Sequence, residues 1–264
     1  MSPHEPLVTA GHGRLARVGV AVSHGFTGSP AAMRPWAEHL AGQGFAVNMP
    51  LLPGHGTRWE DLARTTWQEW YLRLEAAYLE LSGRCDIVFV AGLSMGGTLA
   101  LRIAEHHPVA GLALVNPGLS MVDKRGAISG VLKYALTSVP AIGNDLVKPD
   151  VDEHAYDRVP VAAVHQLRQL FLDTRRNLPA ITAPILLFRS TVDHVVADSS
   201  VTTLVEGVSS HRVDLRKLHN SYHVATLDHD APQILAQSSA FFMEVAGLRP
   251  GALGASSPAP ESAS

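Results

Sequence analysis

Short, uncharged apolar runs alternate along this chain with longer segments whose apolar residues recur at helical spacing. Val18-Gly-Val-Ala-Val22, Phe45-Ala-Val-Asn-Met49, Ile87-Val-Phe-Val-Ala91 and Ala110-Gly-Leu-Ala-Leu-Val-Asn116 read as buried strands, being short and free of charge. Between them, Ala31 to Gln43 sets Met33, Trp36, Ala37 and Leu40 on one helical face, and Gly44 stops the helix. Thr66-x-x-Glu69 has the form of a capping box, and from there to Ser82 the residues Trp70, Leu74, Ala77, Tyr78 and Leu81 form a stripe to bury. Thr98 to Ala104 continues as a helix that ends near Pro108. Strands alternating with helices predict an α/β fold whose sheet is mostly parallel and covered on both faces. Residues 1–14 read as a loose lead-in.

The alternation breaks between Pro117 and Pro184, where the pattern predicts no strand, only helical pieces at Gly126–Thr137 and Pro160–Leu178. In the second piece Val164, Leu167, Leu170, Phe171 and Thr174 share a face, and Pro160 suits a first turn. Strands resume at Pro184-Ile-Leu-Leu-Phe188 and His211-Arg-Val-Asp-Leu-Arg-Lys217; a last helix, Pro232 to Val245, has Ile234, Leu235, Phe241 and Phe242 to bury. The expected organisation is a core of 1–117 and 181–246 with a small helical cap at 118–180, inserted after the fourth core strand. Ordinary helices covering the sheet are the alternative for that insertion. The stretch 247–264, mostly Gly, Ala, Ser and Pro, lacks the apolar surface to order itself and reads as a disordered tail.

Composition narrows the function classes. At 264 residues, 46% hydrophobic and 17% charged, the chain has enough apolar material for one sizeable core. A net charge of −3, with basic residues at most in pairs such as Lys124-Arg125 and Arg175-Arg176, gives no electrostatic footprint for nucleic acid. The sole cysteine, Cys85, excludes an intrachain disulfide, fits a reducing compartment and reads as a small buried hydrophobe. The beginning, Met1-Ser-Pro-His-Glu-Pro6, lacks a signal-peptide pattern, and no apolar stretch reaches the length of a transmembrane helix, so a soluble cytoplasmic protein is expected. Fourteen histidines form neither H-E-x-x-H nor a Cys/His cluster, and His219-x-x-x-His223 stands alone, so no metal site and no cofactor are expected.

The candidate chemistry lies at Gly92-Leu-Ser94-Met-Gly96, between a strand and a helix. A turn that tight strains the central residue and crowds its neighbours, so hydrogen is the side chain that fits two positions away on each side. This is the G-x-S-x-G nucleophile elbow; a phosphate loop is excluded because no Gly-Lys-Ser/Thr follows. A serine hydroxyl needs a base, and the base needs an orienting acid, in the order Ser, Asp or Glu, then His. Strand 184–188 runs into Asp193, with Asp198 as a rival set back toward the next helix. After strand 211–217 come His219 and His223; His223 is taken as the base, with His219 as the fallback because it stands too near the strand's end. His194 and His229 read as surface residues. The oxyanion hole needs two convergent N–H groups, and Met95 and Phe26 are the candidates, with His24 bracing the Phe26 loop.

Together these residues resemble the α/β-hydrolase superfamily and, within it, bacterial carboxylesterases and monoacylglycerol lipases. The resemblance runs from about residue 16 to 246 and is carried by His24-Gly-Phe-Thr-Gly28, Leu52-Pro-Gly-His-Gly56, Gly92-Leu-Ser-Met-Gly-Gly97, Asp193-His-Val-Val196 and Asn220-Ser-Tyr-His-Val-Ala-Thr-Leu-Asp228. It implies a triad of Ser94, Asp193 and His223, oxyanion donors at Phe26 and Met95, and a cap in which Glu153 holds a glycerol head and Ile142 forms a wall. The implied activity is hydrolysis of carboxylic esters, monoacylglycerols foremost, through an acyl-enzyme. The implied partner is a small lipid ester, with transient membrane-surface contact through the cap. A general carboxylesterase or thioesterase is the alternative within the superfamily, and a non-catalytic ligand receptor the alternative outside enzymes.

Overall fold

The computed structural model describes residues 2–120 and 136–248. Among these residues the central sheet has seven strands: β1 (Leu7–Thr9), β2 (Val18–Ser23), β3 (Ala46–Met49), β4 (Ile87–Leu93), β5 (Leu112–Val115), β8 (Ile185–Ser190) and β9 (Val213–Leu218). Their order is β1-β3-β2-β4-β5-β8-β9. All neighbours run parallel except β1, which lies antiparallel to β3 with Val8 opposite Asn48. The expected strands are thus present, with β4 continuing through Gly92 and Leu93 right up to Ser94. The lead-in is not wholly loose, because Leu7–Thr9 supplies the edge strand. Three residues are too few to show a period, so backbone pairing rather than pattern makes this strand.

The helices are α1 (Arg34–Gln43), α2 (Trp59–Leu62), α3 (Trp67–Ser82), α4 (Met95–His106), α5 (Val161–Asn177), α6 (Ser199–Gly207) and α7 (Ala231–Val245). Ser29 and a 3-10 turn at Pro30–Met33 precede α1, and Gly44 closes it in the left-handed conformation at φ 108°. The capping box forms as expected: Glu69 N–H donates to Thr66 Oγ1, and Thr66 N–H donates to Glu69 Oε2 at 2.7 Å. The stripe Trp70, Leu74, Ala77, Tyr78 and Leu81 is buried. Two apolar layers result. One joins α3, α4 and α5 to one face of the sheet through residues such as Leu74, Leu99, Leu114 and Leu170. The other joins α1 and α7 to the opposite face through Trp36, Leu40, Phe89 and Phe242.

The region between β5 and β8 differs from expectation in one respect. Two three-residue strands, β6 (Ser138–Pro140) and β7 (Arg158–Pro160), pair antiparallel there. Each ends at a proline, which removes a ladder donor and keeps the ribbon short, so neither stretch shows a strand's alternation. Helix α5 begins after Pro160 as expected and buries Leu167, Leu170, Phe171 and Thr174 in the layer shared with α3 and α4. Arg102 of α4 helps fix it, with Nη1 3.0 Å from Asp173 and bonded to both Glu105 oxygens. The helical piece expected at Gly126–Thr137 lies almost wholly outside the described residues, as does the tail beyond Leu248.

Candidate active site

Parallel pairing brings the carboxyl ends of β2, β4, β5 and β8 to one edge of the sheet, where each runs into a loop. Ser94 stands at the end of β4 with φ 55° and ψ −120°, a strained conformation for a residue with a side chain. The flanking glycines explain how it is tolerated. A Cβ on Gly92 would lie 2.3 Å from Gly96 O, and one on Gly96 would lie 2.2 Å from Ser23 O. Only hydrogen fits at either place. Ser94 N–H donates to Val115 O at 2.9 Å, anchoring the turn to β5, and the side chain is nearly buried at 8% exposure.

The Phe26 loop lies against this turn, for a Cβ on Gly25 would meet the Ser94 Cβ at 3.4 Å. Met95 is the first residue of α4, so its N–H has no intrahelical acceptor and lies at the positive end of the helix dipole. Among the described residues neither the Phe26 nor the Met95 N–H donates to a backbone carbonyl. His24 is fully buried beneath the loop, with Nδ1 bonded to Gly25 O at 2.9 Å and Nε2 accepting from Leu52 N–H at 3.2 Å. His55 sits edge-on to His24, Phe26 and Trp70. Burial pushes the His24 imidazole down to about 3 and that of His55 to about 4, so both are neutral props for the loop.

Asp193 and His223 meet. Nδ1 of His223 lies 3.0 Å from Asp193 Oδ2, and the Asp193 side chain is fully buried. Its other oxygen accepts the Val195 and Val196 N–H groups at 2.9 Å each, and Arg189 Nη1 donates to Oδ2. Burial alone would raise this carboxyl, but the His223 hydrogen bond and charge, the Val196 amide and Arg189 together hold it below its ordinary value. Asp198 does not approach His223 by any hydrogen bond; it is 94% exposed and takes a bond from Arg189 Nη2. His219 and His229 are exposed, and His194 faces Asp145 rather than Ser94.

Several residues that the sequence pattern did not single out tie these loops together. Asn116, in a left-handed conformation at the end of β5, donates from Nδ2 to His223 O at 2.8 Å and to Ser190 Oγ at 3.0 Å. Its Oδ1 accepts Ser190 N–H at 2.9 Å. An Asn at a strand end is a weak signal, although its tolerance of positive φ is a reason for its presence there. Glu153, expected in the cap, is buried with Oε1 accepting Asn144 N–H at 2.7 Å, while its own N–H donates to Asn144 Oδ1 at 3.0 Å. Burial raises its carboxyl above the ordinary value, opposed by the Asn144 amide and the nearby His223. Ile142 is exposed at 64%. Cys85 is free and buried, and among the described residues no group of His, Cys, Asp or Glu is arranged to hold a metal ion. No described helix is long and apolar enough to cross a membrane.

A serine on a strained elbow, a carboxylate-bound imidazole and two N–H groups without a backbone acceptor are the kinds of group that nucleophilic acyl transfer requires. Comparison with known proteins places the chain as a whole. Residues 16–230 match the model of the family described as serine aminopeptidase, S33. The chain is 43% identical over 234 residues to a thermostable monoacylglycerol lipase of Bacillus sp. (strain H-257), covering 87% of this chain and 92% of that protein. It is 25% identical over 210 residues to a carboxylesterase of Bacillus subtilis (strain 168), covering 79% and 85%. A solved structure described with LipS and LipT, two metagenome-derived lipolytic enzymes, superposes with a TM-score of 0.87 at 39% identity, covering 92% of this chain and 98% of that one. The monoacylglycerol lipase of Paleococcus ferrophilus shares the fold, with a TM-score of 0.76 at 20% identity over 91% and 99%.

Proposed function

The chain belongs to the serine aminopeptidase, S33 family of α/β-hydrolases, and on that premise we propose that Ser94, His223 and Asp193 carry out its ester hydrolysis, with monoacylglycerols as preferred substrates. The observation that supports the reading is the buried Asp193–His223 pair, on the loops after β8 and β9, in a chain whose β4 ends at the strained Ser94. Ser94 Oγ attacks the ester carbonyl as His223 accepts its proton. The carbonyl oxygen gains charge and takes hydrogen bonds from the Phe26 and Met95 amides. The bond to the alcohol breaks, and His223 gives it the proton. Water then attacks the acyl-enzyme, passing a proton to His223, and the fatty acid leaves as Ser94 recovers its hydrogen. Asp193 holds the imidazole tautomer and stabilises its cation throughout.

Glu153 and Ile142, in the cap segment between β6 and β7, are the residues we assign to the glycerol head and to the wall of the leaving-group side. The support for monoacylglycerols over other esters is the 43% identical lipase; the 25% identical carboxylesterase marks the broader ester class. The cap also offers the surface for transient contact with a lipid interface, and the single reduced, buried Cys85 suits a cytoplasmic setting. A hydrolysis panel of monoacylglycerols of graded chain length, a triacylglycerol and p-nitrophenyl esters tests the assignment. Monoacylglycerols of medium to long chain are expected to give the highest kcat/KM; a strong preference for triacylglycerol contradicts it.

A further inference from the structure

The segment from Asn144 to Tyr156 is bonded at both ends to the loops that carry the candidate chemistry. At its beginning, Asp145 reaches two of them at once. Its Oδ2 accepts His223 N–H at 3.1 Å and His194 N–H at 3.2 Å, while Oδ1 pairs with His194 Nδ1 at 2.7 Å. His194 directly follows Asp193, so a single carboxylate oxygen bridges the backbone of the base to the backbone beside the acid. The carbonyl of Asp145 adds a fourth tie by accepting Val224 N–H at 3.1 Å.

The attachment is reciprocal. Asp228, on the histidine loop, accepts Val147 N–H at 2.7 Å and Lys148 N–H at 2.9 Å from the segment, and Tyr222 N–H at 3.1 Å from its own loop. Asn144 and Glu153 close the segment on itself through their paired bonds. At its far end Tyr156 donates its N–H to Thr27 O at 3.2 Å, beside Phe26, and its hydroxyl bonds Gly54 O at 2.8 Å. This stretch is therefore a strap fastened from the histidine loop to the Phe26 loop, and not a hinged lid.

We infer that Asp145 is a positioning residue for the hydrolysis, holding the backbones of His223 and of the Asp193 loop in one register. The inference rests on the triad reading above. A backbone N–H donating to a charged carboxylate makes a stronger bond than one to a neutral acceptor, and it fixes a loop more firmly than apolar contact does. Displacement of a catalytic base by about 1 Å costs on the order of a hundredfold in rate. The other charged groups around His223 are Asp193 on its ring and Glu153 within electrostatic reach, with Arg189 behind Asp193 and His194 on Asp145. None of these accepts the His223 N–H, which goes to Asp145.

The test compares D145A and D145N with the parent, using a short p-nitrophenyl ester. Active sites are counted by end-point labelling with a fluorophosphonate, so turnover is read per competent site rather than per milligram. In D145A, kcat per labelled site is expected to fall about 100-fold with KM within about threefold. D145N keeps an oxygen able to accept both backbone N–H groups, and is expected to recover at least tenfold of that loss. A purely structural role would instead lower the labelled fraction and the melting temperature at unchanged kcat per site, and that result overturns the inference. So does D145N no better than D145A. If the alanine variant does not fold, D145S, too short to span both amides, takes its place. Failure of the parent itself to label would overturn the serine mechanism; full labelling with unaltered turnover in D145A overturns only the role of Asp145.

Discussion

Asn116 Nδ2 donates to the carbonyl oxygen of His223 at 2.8 Å, fastening the loop of the base to the end of the strand next to the elbow. The same side chain exchanges bonds with Ser190, at the end of the strand that leads to Asp193. One buried amide thus joins the elbow's neighbour strand, the acid's strand and the histidine's loop. Replacing it by alanine leaves His223 O and Ser190 N–H without this partner and removes a residue suited to φ 44°. We expect N116A to lose about 2–4 kcal/mol, since each buried polar group left unpaired costs about 1–3 kcal/mol. For a chain of this size that lowers Tm by roughly 5–15 °C. Calorimetry checks it, and a shift under 2 °C would show that the bridge is dispensable.

The two carboxylates competing for the orienting role have opposite surroundings. Asp193 is buried on His223, whereas Asp198 is exposed and bonded to Arg189. D193N should lower kcat by about four orders of magnitude, because an amide donates where His223 Nδ1–H must donate and so selects the wrong tautomer. D198N should lower it by less than tenfold. Steady-state kinetics on one ester with both variants decides between them.

The elbow glycines differ sharply in tolerance from a glycine nearby. G92A and G96A drive a Cβ within 2.3 Å of backbone oxygen, so neither should yield a labelled, active enzyme. At Gly28 the nearest atom to an added Cβ is Gly25 O at 3.6 Å, an ordinary contact. G28A is expected to fold and label like the parent, which fluorophosphonate labelling and thermal melting will read together.

The buried histidines set the acid limit of stability. His24 and His55 stand at about 3 and about 4 in the folded chain, below the ordinary value of about 6.5. Between those values the unfolded chain binds protons that the folded chain does not, so stability rises with pH there and falls as pH drops. The loss begins near pH 6.5 and runs down to about pH 4 for His55 and about pH 3 for His24. Asp193 shifts in the same direction, its carboxyl held below the ordinary value of 3.8, so its contribution is also lost as pH falls, but only at and below that lower range. Urea unfolding at pH 7 and pH 5 should show a loss of at least about 1 kcal/mol, each such group adding up to about 1.4 kcal/mol per pH unit. Equal stability at the two values would contradict it.

Much of this architecture was legible because it is written locally. Buried strands such as β4, the stripe on α3 and the capping box at Thr66 and Glu69 each follow from residues a few positions apart. The elbow is legible for the same reason, since its two glycines answer a steric demand within five residues. What escaped was long-range pairing. β1 exists because Thr9 lies across from Val47, and β6 and β7 because each is the other's partner. Asp145 looked like one more polar residue in a motif-poor stretch, for its bonds go to His194 and His223, 49 and 78 residues away. A carboxylate's own neighbours do not reveal which distant amides it will meet.

Mass spectrometry of the acylated enzyme tests whether Ser94 is the nucleophile of an ester hydrolase. After reaction with a fluorophosphonate, the tryptic peptide containing Ser94 should carry one adduct per chain, and monoacylglycerol hydrolysis should cease in proportion. S94A should take no adduct and retain less than about a thousandth of the activity while melting at the parent's temperature. Adduct on another residue, or hydrolysis persisting in S94A, would contradict the account.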